Sequence, residues 1–421
     1  MSYAAIVARI EVEPIDGAET LARGRVLGYE VAVDKSTQSG TLGLFFPTDG
    51  QLSVEFATAN DLISRGTDSD GRKLGGYFSE DRRVRTQKFM KGAVRSEGFF
   101  CPLTYLDFID GHHARAVREG DEFDTVGGVP ICNKYINEAT RRAMAHDARQ
   151  GIKRLQTKDF PEHMETGHWQ KNPRIPEGSM FYISEKLHGT SGRYGNVKVT
   201  RSLKWWQKLL NRFFAFWPED FYKHLHGSRR RVLNDVEDTS NYYGTNKFRV
   251  DAVEGLSLKQ DEVLYFELLG YTDTGKPIMG DADPKRVTDK GFAKLYTNHE
   301  KSMRFKYGCE PGQCRLVVYR ITQNGKDLLL PEFQARAAEL GLETPPFFLG
   351  TSTREAANQA VLDYTDGPSM LDPSHIREGV AIRVEEPNGT VRFFKNKSVN
   401  FGILEGYIKD DKNHVDMEES S

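Results

Sequence analysis

The sequence predicts an α+β chain in which a small all-β unit precedes a larger mixed domain, and three observations predict it. Short alternating or apolar runs broken by glycines fill the first ~130 residues, as barrels of short strands require. Residues 136–175 turn polar and helix-prone and end in Lys171-Asn172-Pro173-Arg174-Ile175-Pro176, where two prolines break any continuing element. Beyond 176, strand-like runs mix with helical stretches, the mark of an α+β domain.

The elements follow in order. Tyr3 to Val12, Arg25 to Val33 and Thr41 to Pro47 read as strands, punctuated by Gly24, Gly28, Gly40 and Gly43. They predict a partly closed barrel of oligonucleotide-binding type over 1–135. Its later part carries Arg82, Arg83, Arg85, Lys88, Lys91 and Arg95 beside Phe89, Phe99 and Phe100. Basic groups among aromatics suit a nucleic-acid backbone with base stacking, and equally a solvated loop over core aromatics. Strands are expected at 179–185, 193–200, 263–269, 315–321, 379–385 and 390–396, and helices near 203–217 and 331–341. In 203–217, Leu203, Trp206, Leu209, Leu210, Phe213, Phe214 and Trp217 fall at helical spacing. Such a stripe packs on its own domain or docks on a membrane surface or partner. The acidic stretch 409–421 reads as a tail.

Composition narrows the class. The chain has 421 residues, 38% hydrophobic and 28% charged, with a net charge of -2. That length supports several domains, and the charge provides no global field for nucleic acid, so any polyanion site must be local. No apolar run approaches the roughly 18–20 residues that span a bilayer, and Met1-Ser2-Tyr3-Ala4-Ala5 opens no secretion signal. A cytoplasmic protein is expected. Cys101, Cys132, Cys309 and Cys314 then read as reduced thiols, although Cys309-x4-Cys314 also allows a metal or disulfide pair.

The chemistry concentrates in five short segments. Ser184-Glu185-Lys186-Leu187-His188-Gly189 follows the apolar run Met180-Phe181-Tyr182-Ile183, so Lys186 ends a buried strand where Gly189 lets the chain turn. A lysine placed there can serve as a nucleophile if its amine sheds its proton. Glu267 interrupts the apolar strand Leu264 to Leu269, and burying a lone carboxylate is costly without a partner or ligand. Tyr319 lies near the end of Leu316 to Ile321, and Glu378 precedes Gly379 at a strand start. Lys395 and Lys397 share one face of the last strand, where two ammonium groups repel unless an anion sits between them. Gly227-Ser228-Arg229-Arg230-Arg231 is either a phosphate site or a surface charge run.

Taken in order over about 180–400, these segments resemble the covalent nucleotidyltransferase superfamily of polynucleotide ligases and capping enzymes. Lys186 matches motif I, Glu267 motif III, Tyr319 motif IIIa, Glu378 motif IV, and Lys395 and Lys397 motif V. Where DNA ligases and capping enzymes carry Lys-x-Asp-Gly-x-Arg, this chain has His188 and Ser191 in place of Asp and Arg. The Lys-Leu-His-Gly-Thr run is similar instead to ATP-dependent RNA ligases of the T4 ligase-two type. An oligonucleotide-binding-like domain placed first resembles the Deinococcus RNA ligase branch.

That resemblance implies a nucleotidyltransferase domain at 176–408, with 136–175 as a helical linker, and a ligase acting through three steps. Lys186 would attack the α-phosphate of ATP, the AMP would pass to an RNA 5′-phosphate, and a 3′-hydroxyl would then displace it. It also implies that Glu267 holds the ribose, Tyr319 stacks on adenine, and Glu378 helps bind Mg2+ or Mn2+. Lys395 and Lys397 would neutralise the α-phosphate and favour an unprotonated Lys186. Glu185, His188, Gly189 and Arg229 would contact the nucleotide or the RNA-end phosphate. The implied partners are RNA ends, in a nicked duplex, a broken RNA or an RNA/DNA hybrid, with the protein acting as a monomer off the membrane. The alternatives are a DNA ligase, a GTP-dependent capping guanylyltransferase, or an inactive RNA-binding protein of the same fold.

Overall fold

The computed structural model describes residues 3–48, 50–67, 73–76, 78–89, 94–109, 117–136, 160–164, 166–171, 173–200, 220–229, 232–233, 243–287, 290–296 and 302–405. The chain divides into two compact units. One is Met1–Asn137 with Gly167–Arg174 and Glu405–Lys412; the other is Glu138–Thr166 with Ile175–Leu404 and Asn413–Ser421. The expected helix at 203–217, most of the 136–175 linker, Lys91, Arg230, Arg231 and the acidic tail lie outside the described residues.

The first unit is all-β in its sheets, but its described pairings close no barrel. Gly98–Pro102, Leu42–Pro47, Ala5–Arg9 and Glu122–Phe123 pair in that order, antiparallel throughout. Glu11–Pro14, Leu21–Val26 and Tyr29–Asp34 form a separate three-stranded sheet. The reason lies in the alternation of Leu44-Phe45-Phe46. Leu44 and Phe46 pack with Val7, Phe56 and Phe99, whereas Phe45 packs with Ile6, Ala8 and Phe100. The central strand is thus buried on both faces, where a barrel offers one interior.

The same packing favours the second of the two readings of the basic stretch, core aromatics over a stacking surface. Phe99 and Phe100 are core residues. Arg83 is buried over the Tyr135 ring, Arg85 pairs with Asp81, and Arg82 donates to the Leu52 and Glu80 carbonyls. These three arginines hold their own unit together.

The second unit contains two antiparallel sheets among the described residues. In one, Val391–Lys397, Gly379–Glu385, Met180–Lys186 and Phe347–Thr351 lie side by side. In the other the order is Val232–Leu233, Asp220–Ser228, Thr190–Thr200, Glu262–Gly270, Cys314–Gln323 and Lys326–Asp327. The chain passes from the first sheet to the second through Leu187-His188-Gly189. Helices Leu330–Glu339 and Arg354–Thr365 bury Phe333, Ala337, Ala357, Ala360 and Val361. Each expected strand of this unit forms, within one to three residues at its ends. Asp220–Ser228 is an addition: it extends the second sheet where no strand is expected.

Cys101, Cys132, Cys309 and Cys314 form no disulfide here. Among the described residues no helix is long and apolar enough to cross a membrane.

Candidate active site

A cleft opens between the two sheets of the second unit, and cross-strand register decides what faces it. Ser184, Ala381 and Lys395 form one row across three strands; Lys186, Gly379 and Lys397 form the next. Because side chains alternate across a sheet, both rows point the same way, and Ser184, Lys186, Ala381 and Lys395 line the cleft. The facing wall carries Ser191, Tyr265, Glu267, Tyr319, Arg320 and Arg229.

Glu378 sits where the lysines converge. Its Oε2 lies 2.7 Å from the Lys186 Nζ and its Oε1 lies 2.9 Å from the Lys397 Nζ. The carboxylate is 1% exposed, against 18% and 20% for the lysine side chains. A carboxylate buried this deeply is tolerable because two ammonium groups compensate it. The repulsion expected between Lys395 and Lys397 is therefore relieved by the protein's own anion at Lys397.

Gly379 permits this junction. Its φ is +149°, and a Cβ there would meet the Asn396 carbonyl oxygen at 2.1 Å and the Lys397 Cα at 2.8 Å. Gly379→Ala is expected to cost about 2–4 kcal/mol by parting Glu378 from Lys397, which thermal unfolding checks. Gly189 answers a different need. A Cβ there would lie 2.3 Å from the Leu268 carbonyl oxygen, so close backbone approach, more than sharp turning, requires glycine.

The remaining expected residues divide. Glu267 accepts from the Ser191 hydroxyl at 3.2 Å, so the serine that stands where related motifs carry arginine steadies the carboxylate. Glu185, next to Lys186, also lines the cleft, and its Oε2 accepts from the Met370 N–H at 2.8 Å. Burial raises its pKa, opposed by hydrogen bonds from Ser369 and Met370. His188 is buried behind Glu378, its Nδ1 3.8 Å from Oε2 and its ring edge-on to Phe305 and Phe401. Its backbone N–H donates to the Tyr307 hydroxyl at 2.8 Å. Neither His188 nor Gly189 lines the cleft.

Tyr319 reaches the cleft through a β-bulge. Tyr265 pairs with Arg320 but Phe266 pairs with Val318, leaving Tyr319 as the extra residue. Consecutive side chains, Tyr319 and Arg320, therefore face the same cavity, which strict alternation forbids. Sequence reading also missed His163, Met164 and Thr166, which line the cleft from a stretch that reads as linker. An aperiodic polar segment gives no signal of where it will lie.

Among the described residues no group of three or more His, Cys, Asp or Glu side chains is placed to hold a metal. Beside Lys186, Glu378 offers a buried carboxylate. That donor set fits Mg2+ or Mn2+ arriving with a nucleotide, because such hard ions bind through one or two carboxylates plus substrate phosphates.

No protein-family model matches the chain, and no curated protein does. Solved structures of the Naegleria gruberi RNA ligase do resemble it. A lysine-to-alanine variant with ATP and Mn superposes with a TM-score of 0.58 at 16% identity, over 97% of this chain and 100% of the other. The same ligase with PPi gives 0.56 at 16%, over 94% and 97%. A lysine-to-methionine variant with AMP and Mn gives 0.56 at 15%, over 97% and 99%. At such identity the likeness is one of fold: the chain shares the α+β architecture of that ligase along nearly its whole length.

Proposed function

We propose that this chain is an ATP-dependent RNA ligase that joins 3′-hydroxyl and 5′-phosphate ends through an adenylylated lysine. The observation that carries the reading is the Lys186–Glu378–Lys397 cluster, opposed across one cleft by Glu267 and Tyr319. A nucleophilic amine, a buried carboxylate and further cations facing an aromatic wall match what attack on a nucleotide α-phosphate demands. The fold shared with an RNA ligase, and the His188-Gly189-Thr190 sequence after Lys186, favour RNA over DNA ligation and capping.

In this mechanism ATP enters with its base against Tyr319 and its ribose hydroxyls on Glu267. Lys186 Nζ, unprotonated, attacks the α-phosphorus in line with the departing pyrophosphate, forming the N–P bond as the P–O bond breaks. Lys395 offsets charge growing on the α-phosphate oxygens, and Lys397 does so while holding Glu378 in place. Glu378 would hold Mg2+ or Mn2+, which supplies further charge neutralisation at the phosphates. An RNA 5′-phosphate oxygen then attacks the lysyl-AMP, and Lys186 leaves as the amine. Finally an RNA 3′-hydroxyl attacks the 5′-phosphorus of that end, expelling AMP. Arg229, at the mouth-lining wall, is suited to hold the RNA-end phosphate.

The test is direct. Purified protein with α-labelled ATP and Mn2+ or Mg2+ should gain one AMP by intact mass and seal a nick whose 3′-hydroxyl strand is RNA. Labelling by GTP instead would mean a capping enzyme, and sealing only of DNA 3′ ends a DNA ligase. Absence of any adduct with every divalent ion tried would leave the non-enzymatic RNA-binding alternative.

A further inference from the structure

Residues 160–164 and 166 belong to a strap held onto the second sheet of the transferase-like unit. Arg193 Nη1 donates to the Phe160 carbonyl at 3.0 Å, and the Tyr265 hydroxyl donates to the Pro161 carbonyl at 3.3 Å. The His163 N–H donates to the Arg229 carbonyl at 3.3 Å. Phe160 is buried with Val197, Val263 and Tyr265. These anchors leave His163 little choice of place. Its ring stands edge-on to Tyr265 at 5.2 Å, and its Nδ1 lies 2.5 Å from the Tyr319 hydroxyl.

Both members of that contact are neutral. Burial, then the charges of Arg193, Arg229 and Arg320, hold His163 well below the usual histidine range. Burial and the Glu267 carboxylate push the Tyr319 hydroxyl well above its usual value. One hydrogen bond therefore joins ring nitrogen and phenol in either histidine tautomer. Tyr319 has particular need of it. As the bulge residue it escapes the register that orients its neighbours; its ring packs beside Val263 and Tyr265, and the His163 contact adds the polar anchor that packing lacks.

We propose that His163 is a positioning residue for nucleotide binding: it holds the Tyr319 hydroxyl, fixes the aromatic wall against the purine, and so sets nucleotide affinity and base selectivity more than chemical rate. This rests on the reading that the cleft takes ATP. A pre-set ring stacks without first losing rotational freedom, which is how preorganisation converts into affinity.

Single-turnover adenylylation over a range of ATP and GTP concentrations tests the idea, together with calorimetric binding of AMP. His163→Ala is expected to raise the apparent KM for ATP and the Kd for AMP about 5–10-fold, as loss of one hydrogen bond does, and to narrow discrimination against GTP. The rate at saturation should fall no more than about twofold. Tyr319→Phe, which keeps the ring, should reproduce these changes. The double variant should be no worse than either single one, because both remove the same bond. His163→Asn, which places a polar atom near the Nδ1 position, should recover most of the affinity. A saturating rate that collapses at unchanged KM, additive losses in the double variant, or no recovery with asparagine would each overturn the proposal. Should His163→Ala fail to fold, Tyr319→Phe and His163→Asn still decide it, since unchanged affinity in Tyr319→Phe is fatal. Wild-type protein that binds AMP without forming an adduct would refute the ligase reading while leaving this inference to be judged on Kd; protein that binds no AMP would refute both.

Discussion

Replacing Lys186 with alanine is expected to cut formation of the covalent AMP adduct by at least about 10³-fold, the scale of losing a covalent nucleophile. The fold should survive the change. Lys186 lies at the end of its strand, its side chain faces the cleft, and its pairing with Gly379 is made by the backbone. Removing its ammonium also leaves Glu378 the partner Lys397 at 2.9 Å. Loss of adduct should therefore come with an unfolding temperature close to that of the unmodified protein. Lys186→Arg makes a sharper version, because it keeps a cation for Glu378 but offers no amine that deprotonates near neutral pH. An adduct that persists in either variant, or that maps to Lys395 or Lys397, would remove the basis of the proposed reaction.

Glu378→Gln is expected to damage both stability and activity, and the two losses should be separable. The amide leaves two ammonium groups converging on a neutral neighbour. Breaking a buried ion pair costs about 3–5 kcal/mol when both ions are dry, and the partial exposure of these lysines reduces that to about 2–3 kcal/mol. On the proposed mechanism adduct formation should fall about 10²–10³-fold, since Lys186 loses the group that positions it and a divalent ion would lose a carboxylate. Adding Lys397→Met to Glu378→Gln removes one of the two repelling charges. The double variant should regain unfolding temperature without regaining activity. Recovery of activity would show that Glu378 serves only as a counter-charge, and no recovery of stability would show that the three residues are not electrostatically coupled.

How much of this was legible beforehand depends on the range of the interaction. Lys186, Glu267, Glu378 and the lysines of the last strand each stand in a strand whose apolar alternation is local, and the strands form where that pattern places them. The convergence of Lys186 and Lys397 on Glu378 was not legible in any local pattern and entered only through the resemblance, because it brings Lys186 to positions roughly two hundred residues away through register. The bulge at Tyr319 changes the count of residues between strands without altering composition. The strap at 160–166 has no periodicity, so its polar residues read as linker. Phe99 and Phe100 misled in the opposite sense: near arginines they suggest stacking, yet each fills one of two cores on opposite faces of a sheet. The described pairings confirm no closed barrel, and glycine-punctuated short strands do not reveal whether a central strand is covered once or twice.

The row that joins Lys186, Gly379 and Lys397 makes the cleft far less tolerant of length change than of substitution. Deleting Arg392 while its neighbours stay paired would set Asn396 and Ser398 in the places now held by Lys395 and Lys397. Both cations would leave the cleft side of the sheet in one step, and Lys395 would be driven toward the apolar side where Phe394 is buried. Point changes along this strand dim the site one charge at a time; a single lost codon would invert it.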